Sequence, residues 1–230
     1  MTKLNTVAEQ PGFDIELHAA DKPIACLILG HGAGAGKEHE FMQDITKELV
    51  AKGISTVLFN FPYMQTIKAT GKRRPPDKAD KLMSHFTAVI ETCSKDNKAL
   101  HNLPVFIGGK SMGGRMATMV YEAVSNVKGA IALGYPFHPP GKPEKTRTEH
   151  LLTASKPLLI IQGERDTFGT KSEVEDYIKR CMLSTDIKYT YLEDGDHSFK
   201  PRKASGKTQQ AHIVKAATLT ASFIETVLHN

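Results

Sequence analysis

Short, nearly continuous apolar runs alternate along the chain with longer stretches in which apolar residues recur every three or four positions. The first pattern suits strands buried on both faces and the second suits amphipathic helices. Their alternation predicts β-α repeats around a mainly parallel sheet. Strands are expected over 13–18 (FDIELH), 24–30 (IACLILG), 55–61 (STVLFNF), 104–109 (PVFIGG), 129–135 (GAIALGY), 157–163 (PLLIIQG) and 187–193 (IKYTYLE). Helices are expected over 40–53, 78–96, 111–125, 171–182 and 209–229, with Gly53 and the polar SKDN after Cys93 as stops. The proline- and charge-rich PFHPPGKPEKTRTEH, 136–150, reads as an irregular surface excursion between two strands. The 230 residues, with no internal repeat, suit one α/β domain over 1–230.

Composition narrows the picture. No apolar run nears the roughly 20 residues that span a bilayer, and MTKLNTVAEQPGFDIEL has no apolar leader core, so a cytoplasmic protein with no membrane partner is expected. Cys26, Cys93 and Cys181 form no C-x-x-C pattern and read as reduced core residues. The net charge of +5 concentrates in two stretches, Lys68 to Lys78 and Lys200 to Lys207. These read as solvated loops or as a rim that favours acidic substrates. No aromatic residues interleave with them, so nucleic acid is not an expected partner. No metal-ligand spacing and no heptad seam is present, so no metal is expected and oligomeric state is not readable.

The strongest local motif is G-x-S-x-G, Gly109-Lys110-Ser111-Met112-Gly113, directly after a strand and before a helix. That is the context of a nucleophile elbow, a turn so tight that glycine is needed two residues either side of the serine. A serine hydroxyl needs a base held by an acid, in the chain order serine, acid, histidine. Asp166 follows the strand PLLIIQG and His197 follows IKYTYLE, so all three candidates stand at the C-terminal edge of the expected sheet, where such sheets place their sites. Glu164 and Asp194 are alternatives for the acid, Asp196 reads as a turn residue, and His31 as a shaper of the glycine loop.

That loop, GHGAGAGKEHE over 30–40, offers backbone N–H groups to a negatively charged oxygen. As a P-loop it would place its first glycine at His31 and its hydroxyl at Glu38, and both residue types are wrong. As a dinucleotide fingerprint, Gly30, Gly32 and Ala35 match, but the strand that should end in a ribose-binding acid offers Asn60, and the helix starts only near Glu40. No cofactor is expected. Beside an elbow the loop reads as half of an oxyanion hole, with the N–H of Ala33, near Gly32 and Gly34, converging with that of Met112 on the Ser111 hydroxyl.

LILGHGAGAG, GGKSMGGR, PLLIIQGERDTFG and DGDHSFKPRK together resemble the α/β-hydrolase superfamily, and in size and lack of a lid its small dienelactone-hydrolase-like branch. More narrowly, they resemble the group that contains testis-expressed protein thirty, the third subunit of the NSL chromatin complex and many bacterial members. The resemblance runs from about Ile24 to the C-terminus, and DHSFKPRK is its most specific part. It implies an α/β-hydrolase fold and a serine-esterase triad at Ser111, Asp166 and His197, cleaving an ester, thioester or similar acyl bond of a small or medium substrate. Lys110, Arg115 and the basic loops would bias such a site toward acidic substrates. The chromatin-associated members also raise the alternative of a catalytically idle scaffold that binds a protein.

Overall fold

The structure, a computed structural model, describes residues 13–96, 100, 102–181 and 187–229. Most of the stretch read for a leader, Asn97 of the SKDN stop and Met182 at the end of one expected helix lie outside them. The apolar runs become seven strands: β1 (Ile15–His18), β2 (Ala25–Gly30), β3 (Ile54–Phe59), β4 (Val105–Lys110), β5 (Val127–Leu133), β6 (Leu158–Gly163) and β7 (Ile187–Leu192). They form one sheet in the order β1-β3-β2-β4-β5-β6-β7. β1 runs antiparallel to β3, and every other pairing is parallel. Every residue of β2, β3, β4 and β6 is buried, as their unbroken apolar character requires.

Among the described residues six helices cover the sheet: α1 (Glu40–Val50), α2 (Pro62–Thr70), α3 (Ala79–Asp96), α4 (Met112–Val120), α5 (Lys171–Cys181) and α6 (Gln209–His229). Phe41, Ile45 and Leu49 of α1 pack with Ile213, Ala217 and Ile224 of α6 on one face. Phe86, Val89 and Ile90 of α3 and Met116 and Ala117 of α4 fill the other, joined by Val174 of α5. Cys26 and Cys93 are buried within that second core as free thiols. Among the described residues no helix is long and apolar enough to cross a membrane.

Three elements depart from the periodicity. The run expected to be strand as far as residue 61 leaves the sheet at Phe59, and Pro62 then opens α2, a helix that the apolar pattern does not announce. Proline lacks an N–H and suits the first helical turn, and Gly71, at φ 68°, closes the helix. α4 ends at Val120 rather than 125, and β5 begins at Val127 rather than 129, because Val127 already points inward while Lys128 points out. The excursion over 136–150 is less peripheral than its composition suggests. Phe137, His138 and Thr148 are buried, and its end enters a 3-10 turn over Glu149–Thr153.

The strand order reverses at β2 and β4. From β2 the chain proceeds outward to β3, then crosses back to β4 and builds the sheet the other way. The loops after β2 and β4 therefore diverge and leave a crevice beyond the strand ends, the usual ligand position in such sheets.

The fold rests on aromatic packing under that crevice. Phe86 is fully buried, with ring centroids 4.8 Å from Phe59 and 6.1 Å from Phe61. Phe86→Ala is expected to lower stability by about 3–5 kcal/mol in urea unfolding, with the unfolding transition still cooperative.

Candidate active site

β4 delivers its last residue, Lys110, to the crevice, and the next residue turns the chain into α4. Ser111 sits at φ 51° and ψ −115°, a backbone region that non-glycine residues avoid at a cost of about 1–3 kcal/mol. Its N–H still bonds the Leu133 carbonyl at 2.9 Å, while its own carbonyl accepts the Arg115 N–H at 3.0 Å. Strand thus passes to helix within one residue. The glycines around it are required by a third chain segment as well as by the turn: a methyl group at Gly109 or Gly113 would overlap the carbonyl oxygen of Gly30 at the end of β2.

The loops after β6 and β7 bring the other two candidates to the same place. His197 Nε2 lies 2.9 Å from Ser111 Oγ, and its Nδ1 lies 2.8 Å from Asp166 Oδ2. Asp166 is fully buried. Its Oδ2 also accepts from Gln162 Nε2 at 2.9 Å, and its Oδ1 accepts the Phe168 N–H at 2.9 Å. Three donors fix the carboxylate, so it holds Nδ1–H and leaves Nε2 as an acceptor toward the serine. The Phe168 ring lies over the imidazole at 4.3 Å. The other acids are engaged elsewhere. Glu164 accepts from Lys171 and the Asp194 N–H, and Asp194 binds Arg202. Asp196 accepts the N–H groups of Ser198 and Lys200 and so builds the turn that presents His197.

His31 shapes the glycine loop from below. Its Nε2 accepts the Phe61 N–H at 3.0 Å, so the proton is on Nδ1, which donates to the Gly32 carbonyl at 2.7 Å. The Tyr63 hydroxyl, from α2, donates to the Ala33 carbonyl at 2.9 Å. In a trans peptide the N–H points opposite to the C=O, so holding the Gly32 carbonyl toward His31 turns the Ala33 N–H away from it. Neither that N–H nor the N–H of Met112 has a hydrogen-bond partner among the described residues. A Cβ on Gly32 would stand 3.7 Å from Ser111 Cβ, so the loop runs directly beside the serine. Its far end is tied down by Asn60, whose Oδ1 accepts the Lys37 N–H at 2.8 Å and whose Nδ2 donates to Asp14 at 2.8 Å.

Gly32 to Ala35, His39, Phe41, Met42, Ser111, Phe168 and His197 line a cavity of about 430 Å³, a volume suited to a small molecule. A larger groove of about 930 Å³ lies at the opposite edge of the sheet, between the turn after β1 and α1, but no serine, threonine or cysteine lines it. Among the described residues no group of three His, Cys, Asp or Glu could hold a metal. Lys110 also lines the cavity and extends between the rings of Phe41 and Phe199, with Nζ 5.6 and 5.8 Å from their centroids and no hydrogen-bond partner. Burial pushes its ammonium down to about 8, against the charges of Asp166 and Asp196, which raise it.

Four of the nine cations in the two basic stretches are answered by acids among the described residues. Lys68 pairs with Asp14 and Glu38, Arg74 with Asp77, Arg202 with Asp194, and Lys207 with Glu193. Of the supporting groups, Gln162, Asn60 and Tyr63 are not legible as site residues in the sequence. For Tyr63 the only signal is the proline before it, which marks a helix start just after a strand.

The family described as "Alpha/beta hydrolase domain" matches residues 23–225. Solved structures share the fold at low identity. A dienelactone hydrolase from Anabaena variabilis superposes with a TM-score of 0.69 at 18% identity, covering 92% of this chain and 90% of its own. An α/β serine hydrolase without lid from Xanthomonas campestris gives 0.66 at 18% identity, covering 89% and 86%. Est1E from Butyrivibrio proteoclasticus, solved with ferulic acid bound, gives 0.68 at 14% identity, covering 95% and 96%.

Among the groups that make stability depend on pH are two that are buried at the site, His31 and Lys110. Burial, opposed by the Gly32 carbonyl, holds His31 down to about 4, so between that pH and its ordinary value of 6.5 the unfolded chain binds the extra proton. Stability is therefore expected to fall as pH drops from about 6.5 to about 4, by on the order of 3 kcal/mol from His31, and His31→Gln should flatten that slope in urea unfolding. Lys110→Met is expected to be more stable than wild type below pH 8 by on the order of 3 kcal/mol. The gap should close as pH rises toward 10.5, where the unfolded chain also loses the proton.

Proposed function

Because the chain belongs to the alpha/beta hydrolase domain family, we propose that it is a serine hydrolase that cleaves an ester, thioester or similar acyl bond through an acyl-enzyme. The observation that carries this reading is the unbroken hydrogen-bond chain from Ser111 Oγ through both nitrogens of His197 to Asp166. His197 Nε2 takes the hydroxyl proton as Ser111 Oγ bonds to the acyl carbon. Asp166 holds the tautomer that permits this and stabilises the imidazolium that results. The carbonyl oxygen of the substrate, now negative, is received by the N–H groups of Ala33 and Met112. His197 then returns its proton to the leaving alkoxide or thiolate as the carbon–oxygen or carbon–sulfur bond breaks. In the second half a water gives its proton to His197 as its oxygen bonds to the acyl carbon, and His197 returns that proton to Ser111 Oγ as the serine ester bond breaks and frees the acid.

The unpartnered state of the two amides supports the assignment of the hole. A donor that is already aimed and unspent needs no reorganisation when charge develops. The narrower resemblance to a group with a chromatin subunit carries the second reading, an idle scaffold, but a scaffold has no use for a serine held in a strained backbone with a base against it.

A fluorophosphonate probe is expected to label Ser111 in the wild type and not in Ser111→Ala, read by intact mass and peptide mapping. Ser111→Ala should also lower turnover of 4-nitrophenyl butyrate by at least ~10³-fold, and Asp166→Asn by ~10²- to 10⁴-fold, with the fold intact by circular dichroism. Folded wild type that takes no label would overturn the proposal.

A further inference from the structure

Arg115, on the helix that follows Ser111, and Arg147, in the excursion after β5, meet no acid among the described residues. Arg115 lies one turn along α4 from Ser111, about 6 Å along the helix axis. Residues four apart share a helix face, and helical side chains lean toward the N-terminus, which carries Arg115 back over the turn that holds Ser111. Thr118 continues that face. Its hydroxyl donates to the Arg115 carbonyl at 2.8 Å, so it accepts the proton of His150 Nε2, 2.9 Å away. The His150 ring is 6.5 Å from Tyr135, whose hydroxyl donates to the Arg147 carbonyl at 2.6 Å. The excursion after β5 thus packs His150 against the face of α4 that carries Arg115, and Tyr135 ties the Arg147 backbone beside it.

Neither guanidinium makes a hydrogen bond or ion pair with any described residue, and Arg115 Nε is buried without a partner. Burial and then the Arg115 charge hold Arg147 below its ordinary value. The same two causes push His150 down to about 4, and no carboxylate acts on either group. Arginine cannot shed its charge, and two half-buried guanidiniums repel each other unless an anion lies between them. Elsewhere in the chain, exposed cations such as Lys68, Arg202 and Lys207 have found carboxylates. Arg115 and Arg147 are left open, and a guanidinium fork is shaped for a planar carboxylate.

We propose that Arg115 and Arg147 form a subsite for a carboxylate carried on the acyl part of the substrate, about one helical turn from the carbonyl that Ser111 attacks. The substrate class is then the monoesters or monothioesters of short dicarboxylic acids. The proposal rests on Ser111 being the nucleophile, and it replaces the basic loops and Lys110 as the source of selectivity for acidic substrates.

The test compares mono-4-nitrophenyl glutarate with 4-nitrophenyl valerate, which has the same chain length and a methyl in place of the carboxylate. Wild type is expected to favour the glutarate ester in kcat/KM by at least ~10-fold, and Arg115→Gln and Arg147→Gln should each lower that ratio by ~10- to 100-fold, the worth of a charged hydrogen bond. Arg147→Lys should recover part of it. If Arg115→Gln fails to fold, Arg147→Gln, which lies in the excursion, carries the test. Fluorophosphonate labelling and calorimetric binding of glutarate to Ser111→Ala protein separate the two readings. Labelling with an unmoved ratio and no glutarate binding overturns the subsite alone. Glutarate binding that Arg147→Gln abolishes, in a protein that takes no label, supports the subsite and overturns the nucleophile.

Discussion

The carbonyl oxygen of Gly30 touches both sides of the site, and much of the rest depends on that contact. Gly30 is paired with Gly109 across β2 and β4, and its oxygen lies where side chains at Gly109 and Gly113 would otherwise be. With three glycines at one point, the end of β2 approaches the turn after β4 more closely than two ordinary strands could. That approach lays Gly32 beside the Ser111 Cβ and lets a loop from one strand and a turn from another share a small volume. The backbone strain at Ser111 is tolerated because the sheet hydrogen bond before it and the helix after it both hold the residue in place.

Around this contact the polar interior is satisfied where direction matters. His31, fully buried and neutral, uses both nitrogens on backbone groups of two different segments. Asp166 uses both oxygens on three donors. Lys110 is the contrast: its charge is surrounded by aromatic faces and receives no acceptor. Such a group is costly to bury, and it lies within the electrostatic reach of Asp166 and Asp196.

The features legible in the sequence are those in which the physics is local. The tight turn at Ser111 needs glycine neighbours, strands buried on both faces need unbroken apolar runs, and the loops after consecutive parallel strands share one edge of the sheet. These are enough to bring Ser111, Asp166 and His197 together. Contacts between segments distant in sequence are not legible. Nothing near Asn60 announces that it will bond both Lys37 and Asp14, and nothing near Tyr63 points to the Ala33 carbonyl. α2 was hidden because a strand and a helix are joined there with hardly a loop between them, so the apolar run passes through the boundary. Charge misleads for a related reason. The basic stretches are conspicuous in the sequence, yet several of their cations meet acids, some from far along the chain, whereas Arg115 and Arg147, 32 positions apart, meet no acid among the described residues.

The reversal of strand order between β2 and β4 has a mechanical side. The loop after β2 leads into α1 on one face of the sheet, and the turn after β4 leads into α4 on the other. The two halves of the crevice are therefore anchored in opposite layers, with the central strands and the Tyr63 bond to the Ala33 carbonyl between them. On heating, the local order of the crevice should persist until the central strands themselves separate, so that the site melts with the heart of the sheet and not with the surface loops.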